Sequence, residues 1–67
     1  MASAMFFNVD GYLIGVSEVD GVRYISVDAE TKSMFLERGI DIGPLSSVPP
    51  NADSRDFFRE FLIQNDL

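Results

Sequence analysis

Sixty-seven residues carry eleven Asp and Glu against five Lys and Arg, a formal charge of -6, with neither Cys nor His. A chain of 1–67 is long enough for a single domain with one layered core and too short for a second lobe. The missing thiols and imidazoles exclude zinc-type sites, cysteine nucleophiles and the usual neutral-pH general base, so no cofactor or metal and no enzymatic activity is expected.

Residues 1–5 contain no Lys or Arg and run straight into strand-like sequence, so they do not read as a signal peptide. No apolar run approaches the roughly 20 residues of a membrane span. The chain therefore reads as cytoplasmic. Its acidity opposes direct contact with nucleic acid or anionic lipid and favours basic protein surfaces. Charge of this size also serves to keep a small domain soluble.

Within 5–27, Asp10-Gly11 and Asp20-Gly21 each sit between β-branched and aromatic residues. An Asp-Gly pair so placed predicts a two-residue hairpin turn, because the turn needs positive φ at its centre. The predicted strands are 5–9, 12–19 and 22–27, an antiparallel meander. Tight turns also fix the register: Val9 opposite Tyr12, Phe7 opposite Ile14, Met5 opposite Val16, then Val19 opposite Val22, Glu18 opposite Arg23 and Val16 opposite Ile25. One face then holds Met5, Phe7, Val9, Tyr12, Ile14, Val16, Ile25 and Val27, with a Glu18 and Arg23 pair near its edge, and is the core face. The other holds Phe6, Leu13, Val19, Val22 and Tyr24 among small polar groups.

Asp28 is placed to cap a helix over 29–38, and Gly39 suits the left-handed position after it. Met34, Phe35 and Leu36 are expected to supply this helix's apolar contact. The alternation of Ile40, Asp41 and Ile42 suggests a short edge strand. Residues 43–52 are rich in Gly, Pro, Ser and Asn and read as a connecting loop. A second helix begins at Asp53 or Ser54 and runs to about Gln64, with Phe57, Phe58, Phe61 and Leu62 on one stripe. The stripe is read as core packing over the apolar sheet face. The expected architecture is thus α+β, a three-stranded antiparallel meander followed by two helices packed on one sheet face.

Few constellations carry chemistry. The two Asp-Gly segments match the middle of a calcium loop, but the first position would be Phe6 or Val16 and the twelfth Ser17 or Val27, so the oxygen cage cannot close. The serines have no His to activate them. What remains is the placement of acids. The second strand leaves the Asp10-Gly11 turn and the third returns toward it, so Asp10, Asp28 and Glu30 should share one rim, with little basic compensation beyond Lys32. Capping by Asp28 and the helix dipole near Glu30 account for two of these acids without a partner.

A very short acidic chain without Cys, with the Asp10-Gly11 and Asp20-Gly21 meander, a helix after Asp28 and the helix carrying Phe57 to Leu62, resembles the small acidic inhibitors encoded by bacteriophages, including anti-CRISPR proteins. The resemblance covers the chain in outline and rests on these traits, not on a motif. It implies a cytoplasmic, host-directed inhibitor whose carboxylates occupy a basic nucleic-acid-binding protein or complex, such as a CRISPR effector subunit, and block DNA binding by charge mimicry. From geometry the expected partner-binding residues are Asp10, Asp28 and Glu30. The alternative is a small regulatory or structural subunit that forms a homodimer or docks through Phe6, Leu13, Val19, Val22 and Tyr24. Binding through the acids weakens with salt; binding through the apolar face tolerates it.

Overall fold

The computed structural model describes residues 4–67. The remainder of the stretch read as lacking a leader lies outside the described residues. Three strands, β1 (Ala4–Val9), β2 (Tyr12–Val19) and β3 (Val22–Val27), precede helices α1 (Ala29–Glu37) and α2 (Ser54–Gln64). The strands form one antiparallel sheet in the order β1-β2-β3, so the fold is α+β as expected. Both turns have the backbone that the Asp-Gly pairs predict, with φ of 51° and 89° at Asp10 and Gly11 and 53° and 79° at Asp20 and Gly21. These tight turns set the register, and every cross-strand pair named from the sequence is observed.

The register delivers Val9, Ile14 and Ile25 to one buried layer, closed by Phe35 of α1 and Phe58, Phe61 and Leu62 of α2. At its centre four rings meet: Tyr12 lies 5.9 Å from Phe35 and 6.0 Å from Phe58, and Phe61 lies 5.8 Å from Phe35 and 6.0 Å from Phe58 between centroids. Such offset and tilted pairs add to the burial of the rings. Both helices therefore cover the same sheet face.

Each helix starts on an Asp. The Asp28 carboxylate accepts from the Thr31 N–H at 2.7 Å, and the Asp53 carboxylate accepts from those of Arg55 and Asp56 at 2.9 and 3.1 Å. These bonds satisfy donors that the first turn leaves open. Gly39, at φ 73°, takes the left-handed step after α1.

Three expectations are corrected, and one observed cross-strand pair has an arginine committed elsewhere. Residues 40–42 form no strand: Ile40 is buried and its N–H donates to the Phe35 carbonyl, which turns the chain away from the sheet and into a 3₁₀ helix at Gly43–Ser46. Of the apolar triplet in α1, Phe35 is fully buried, Met34 is half-buried and Leu36 is 54% exposed, because successive helical positions rotate by about 100° and one face alone meets the core. Met5 sits on the core side but is 62% exposed, since it lies beyond the helices' cover. Arg23 stands opposite Glu18 in the register yet spends its guanidinium elsewhere.

That guanidinium donates to the carbonyls of Ala52 (2.6 Å) and Pro50 (3.1 Å) and to Ser54 Oγ (3.2 Å). The loop between the helices is thereby fastened to β3, and Val48 joins in through an isolated bridge to Arg23. Leu45 and Val48 add buried apolar contacts. The Pro-rich segment read as a connection is thus part of the core's cover.

Candidate functional site

Because both helices take the inner face, the outer face of the sheet has no protein over it among the described residues. Phe6 is 69% exposed, Leu13 54%, and Val19 and Val22 47% each; Tyr24 is half-buried. These are the residues that the register assigned to the second face. Pairing sets Phe6, Gly15 and Ser26 in one row, Asn8 beside Leu13, and Val19 beside Val22. Gly15 has a packing reason to lack a side chain: a Cβ there would lie 3.3 Å from the Phe6 ring and 2.9 Å from Ser26 Oγ. The ring of Phe6 lies across the glycine, and a shallow groove of about 170 Å³ runs past Phe6, Leu13, Ser26 and Asp28. No charged side chain occupies the outward positions of the three strands.

The structure distributes the three expected carboxylates and does not merge them. Asp10 and Asp28 do stand at the same end of the sheet, since Val27 pairs with Ile14 and Asp28 follows it. Asp28 is level with Leu13 and Asn8, however, while Asp10 is two residues further out in the turn, about 7 Å along the strand direction. Their surroundings also differ. The Asp10 carboxylate lies 3.6 Å from Arg59 Nε of α2, on the helical side, whereas Asp28 borders the outer groove with Phe6 and Leu13. Glu30 is exposed in the first turn of α1. The compensation assigned to Lys32 alone therefore includes Arg59, which the linear sequence hides because it comes from the last helix.

Hydrogen bonding tunes one of the three. The Asp28 carboxyl is held below its ordinary value chiefly by the backbone N–H of Thr31, with the Thr31 side chain adding to it. Asp53 is likewise lowered, first by the Asp56 N–H. The hydrogen bonds thus favour the anionic form of Asp28, which borders the apolar groove.

A concavity of about 470 Å³ lies on the helical side between the start of β1 and the start of α2, with Met5, Phe7 and Val16 on one wall and Pro50, Ala52 and Arg55 on the other. The Arg55 guanidinium stands 5.0 Å from the centroid of the Phe7 ring and 3.8 Å from Asp53 Oδ1. With Arg23 bound to the loop and Arg55 held by a ring and a carboxylate, this groove offers little uncommitted charge. Sequence reasoning missed it, because it depends on where the 50–55 segment returns to the sheet.

No protein-family model, curated protein or solved structure matches this chain. Among the described residues no helix is long and apolar enough to cross a membrane, and no group of three or more His, Cys, Asp or Glu is placed to hold a metal ion.

Proposed function

We propose that the protein is a binding module that docks through the outer face of its sheet onto a basic protein surface of the kind that receives nucleic acid, and that it acts as an inhibitor by occupying that surface. The observation that supports this most directly is the bare outer face, with Phe6 69% and Leu13 54% exposed on a sheet whose other side is closed by both helices. Contiguous apolar surface on a small domain marks an interaction site. An apolar centre with a charged border is also how protein interfaces are built. Here the border is acidic: Asp28 adjoins the groove, and Asp20 occupies the turn beyond Val19. The chain's charge of -6 matches a partner rimmed by Lys and Arg and speeds the encounter at low salt.

Apolar contact gives the complex its lifetime, and the carboxylates select and steer. Displacement of nucleic acid follows from occupancy of the same basic surface, not from a faithful copy of phosphate spacing.

The test begins with affinity capture at low and high salt, followed by competition of the retained protein against labelled nucleic acid. The combined Asp10→Asn, Asp28→Asn and Glu30→Gln variant should bind more slowly and with a flatter salt dependence, while Leu13→Lys with Val22→Lys should lose binding at every salt concentration. Nucleic-acid binding by the retained protein should fall as the parent is added. If the Leu13 and Val22 variant competes as well as the parent, the outer face is not the interface.

A further inference from the structure

The free edge of β1 supports an inference independent of the docking proposed for the outer face. A sheet ordered β1-β2-β3 has two edges. That of β3 is partly occupied, since the Val48 N–H donates to the Arg23 carbonyl at 2.8 Å. No described residue does the same for β1. In a two-residue hairpin the residues flanking the turn exchange both of their hydrogen bonds. Val9, Phe7 and Met5 therefore aim their N–H and C=O groups at β2, and Asn8, Phe6 and Ala4 aim theirs at the open side.

Exposed edges are normally blunted by charge, proline or a bulge. β1 reads Ala-Met-Phe-Phe-Asn-Val and pairs with β2 without interruption, so it has none of these. Its largest side chain does not shield it either, because the Phe6 ring leans over Gly15, toward the middle of the sheet.

We propose that β1 pairs antiparallel with β1 of a second copy of this chain, about a two-fold axis at Phe6, to make a continuous six-stranded sheet. This register is self-complementary. Phe6 meets Phe6, Ala4 meets Asn8 and Asn8 meets Ala4, so every outward backbone group of the strand finds a partner. On the helical side it sets Met5 beside Phe7 of the other copy at the closer cross-strand spacing. That gives Met5, 62% exposed although it faces the core side, an apolar neighbour at the mouth of the 470 Å³ groove. No charge lies within the paired strands, so two acidic molecules meet there without opposed carboxylates.

A strand of six residues spans about 20 Å and contributes less than the roughly 800 Å² per partner of a standard interface. The dimer is therefore weak and concentration-dependent. Two chains of charge -6 repel each other at long range, so added salt strengthens it. This is opposite to the salt response of docking on a basic surface, and the two proposals can fail separately.

The experiment is sedimentation over a concentration series at low and high salt, joined to cysteine cross-linking in a chain that has no Cys of its own. The parent should shift toward twice its 7.5 kDa mass as concentration and salt rise. Met5→Lys, at an exposed position with folding checked by circular dichroism, should raise the midpoint concentration at least tenfold, while Leu13→Lys should leave it unchanged. Phe6→Cys should form an intermolecular disulfide on mild oxidation, because directly opposed residues of a hydrogen-bonded pair have Cα atoms about 5.5 Å apart. Val19→Cys should not. One-chain mass under all conditions would overturn the proposal, as would equal cross-linking from Val19→Cys, which places self-association on the outer face. Capture of another protein's extended segment by a chain that never pairs with itself would also reject the second copy as the occupant.

Discussion

The guanidinium of Arg23 turns away from Glu18, its neighbour across the sheet, and reaches the Pro50 and Ala52 carbonyls and Ser54 Oγ. Three bonds from one charged group hold the loop to the sheet, and Lys cannot reproduce the fork. Arg23→Ala should cost about 2 kcal/mol, in the range of charge-assisted bonds left unmade, and should expose the 48–53 segment to limited proteolysis before the rest of the chain. Chemical denaturation read beside proteolysis checks both outcomes. A second prediction concerns acid. Asp28 and Asp53 have folded values lowered from 3.8, so their contribution is fully present above the unfolded value and is lost as pH falls through the lower folded ones. Thermal melts should be insensitive to these groups near neutrality and should decline as the pH falls below 3.8 and through the lower folded values. Asp28→Asn, which keeps a cap, should flatten part of that decline. The caps were legible in the sequence, because Asp before a helical run has a local reason to be there. The destinations of Arg23 and Arg59 were not, since each depends on a segment about thirty residues or more away in the chain.

Among the elements, the strands and α2 followed most directly from sequence. Asp10-Gly11 and Asp20-Gly21 require the positive φ seen there, and a two-residue turn leaves a single register. Of the α2 stripe of Phe57, Phe58, Phe61 and Leu62, the last three are buried as the spacing implies and Phe57 is half-buried against the core. Phe61→Ala should therefore cost about 3 to 5 kcal/mol, comparable with the whole stability of a small domain, and leave the chain largely unfolded by circular dichroism. A melting temperature within a few degrees of the parent would mean that α2 is not core. α1 was harder to read, because Met34, Phe35 and Leu36 are contiguous and periodicity does not say which one faces inward. Residues 40–42 alternate like a strand, but burial of Ile40 and its hydrogen bond to Phe35 win over that pattern. Gly15→Ala tests the outer face at this scale. The added methyl would meet Ser26 Oγ and the Phe6 ring, so the variant should lose stability and displace the Phe6 side-chain resonances.

At the scale of the molecule, the fold separates two surfaces. The helical side is closed by four packed rings and carries the ion pairs of Arg59 with Asp10 and Asp56 and of Arg55 with Asp53. The outer side of the sheet is apolar and without protein cover among the described residues. The candidate face was legible because register assigns every strand residue to a side. The acidic rim was legible only as an end of the sheet, since side-chain direction separates Asp10 from Asp28. That asymmetry favours apolar contact as the source of affinity and charge as the source of selectivity and rate. The most direct measurement is photo-cross-linking to the captured basic partner, with a benzophenone amino acid placed at Leu13 or Val22 on the sheet and at Leu36 or Ile63 on the helices, all exposed positions. The proposed docking predicts covalent capture from Leu13 and Val22 and none from Leu36 or Ile63; capture from the helical positions alone would contradict it.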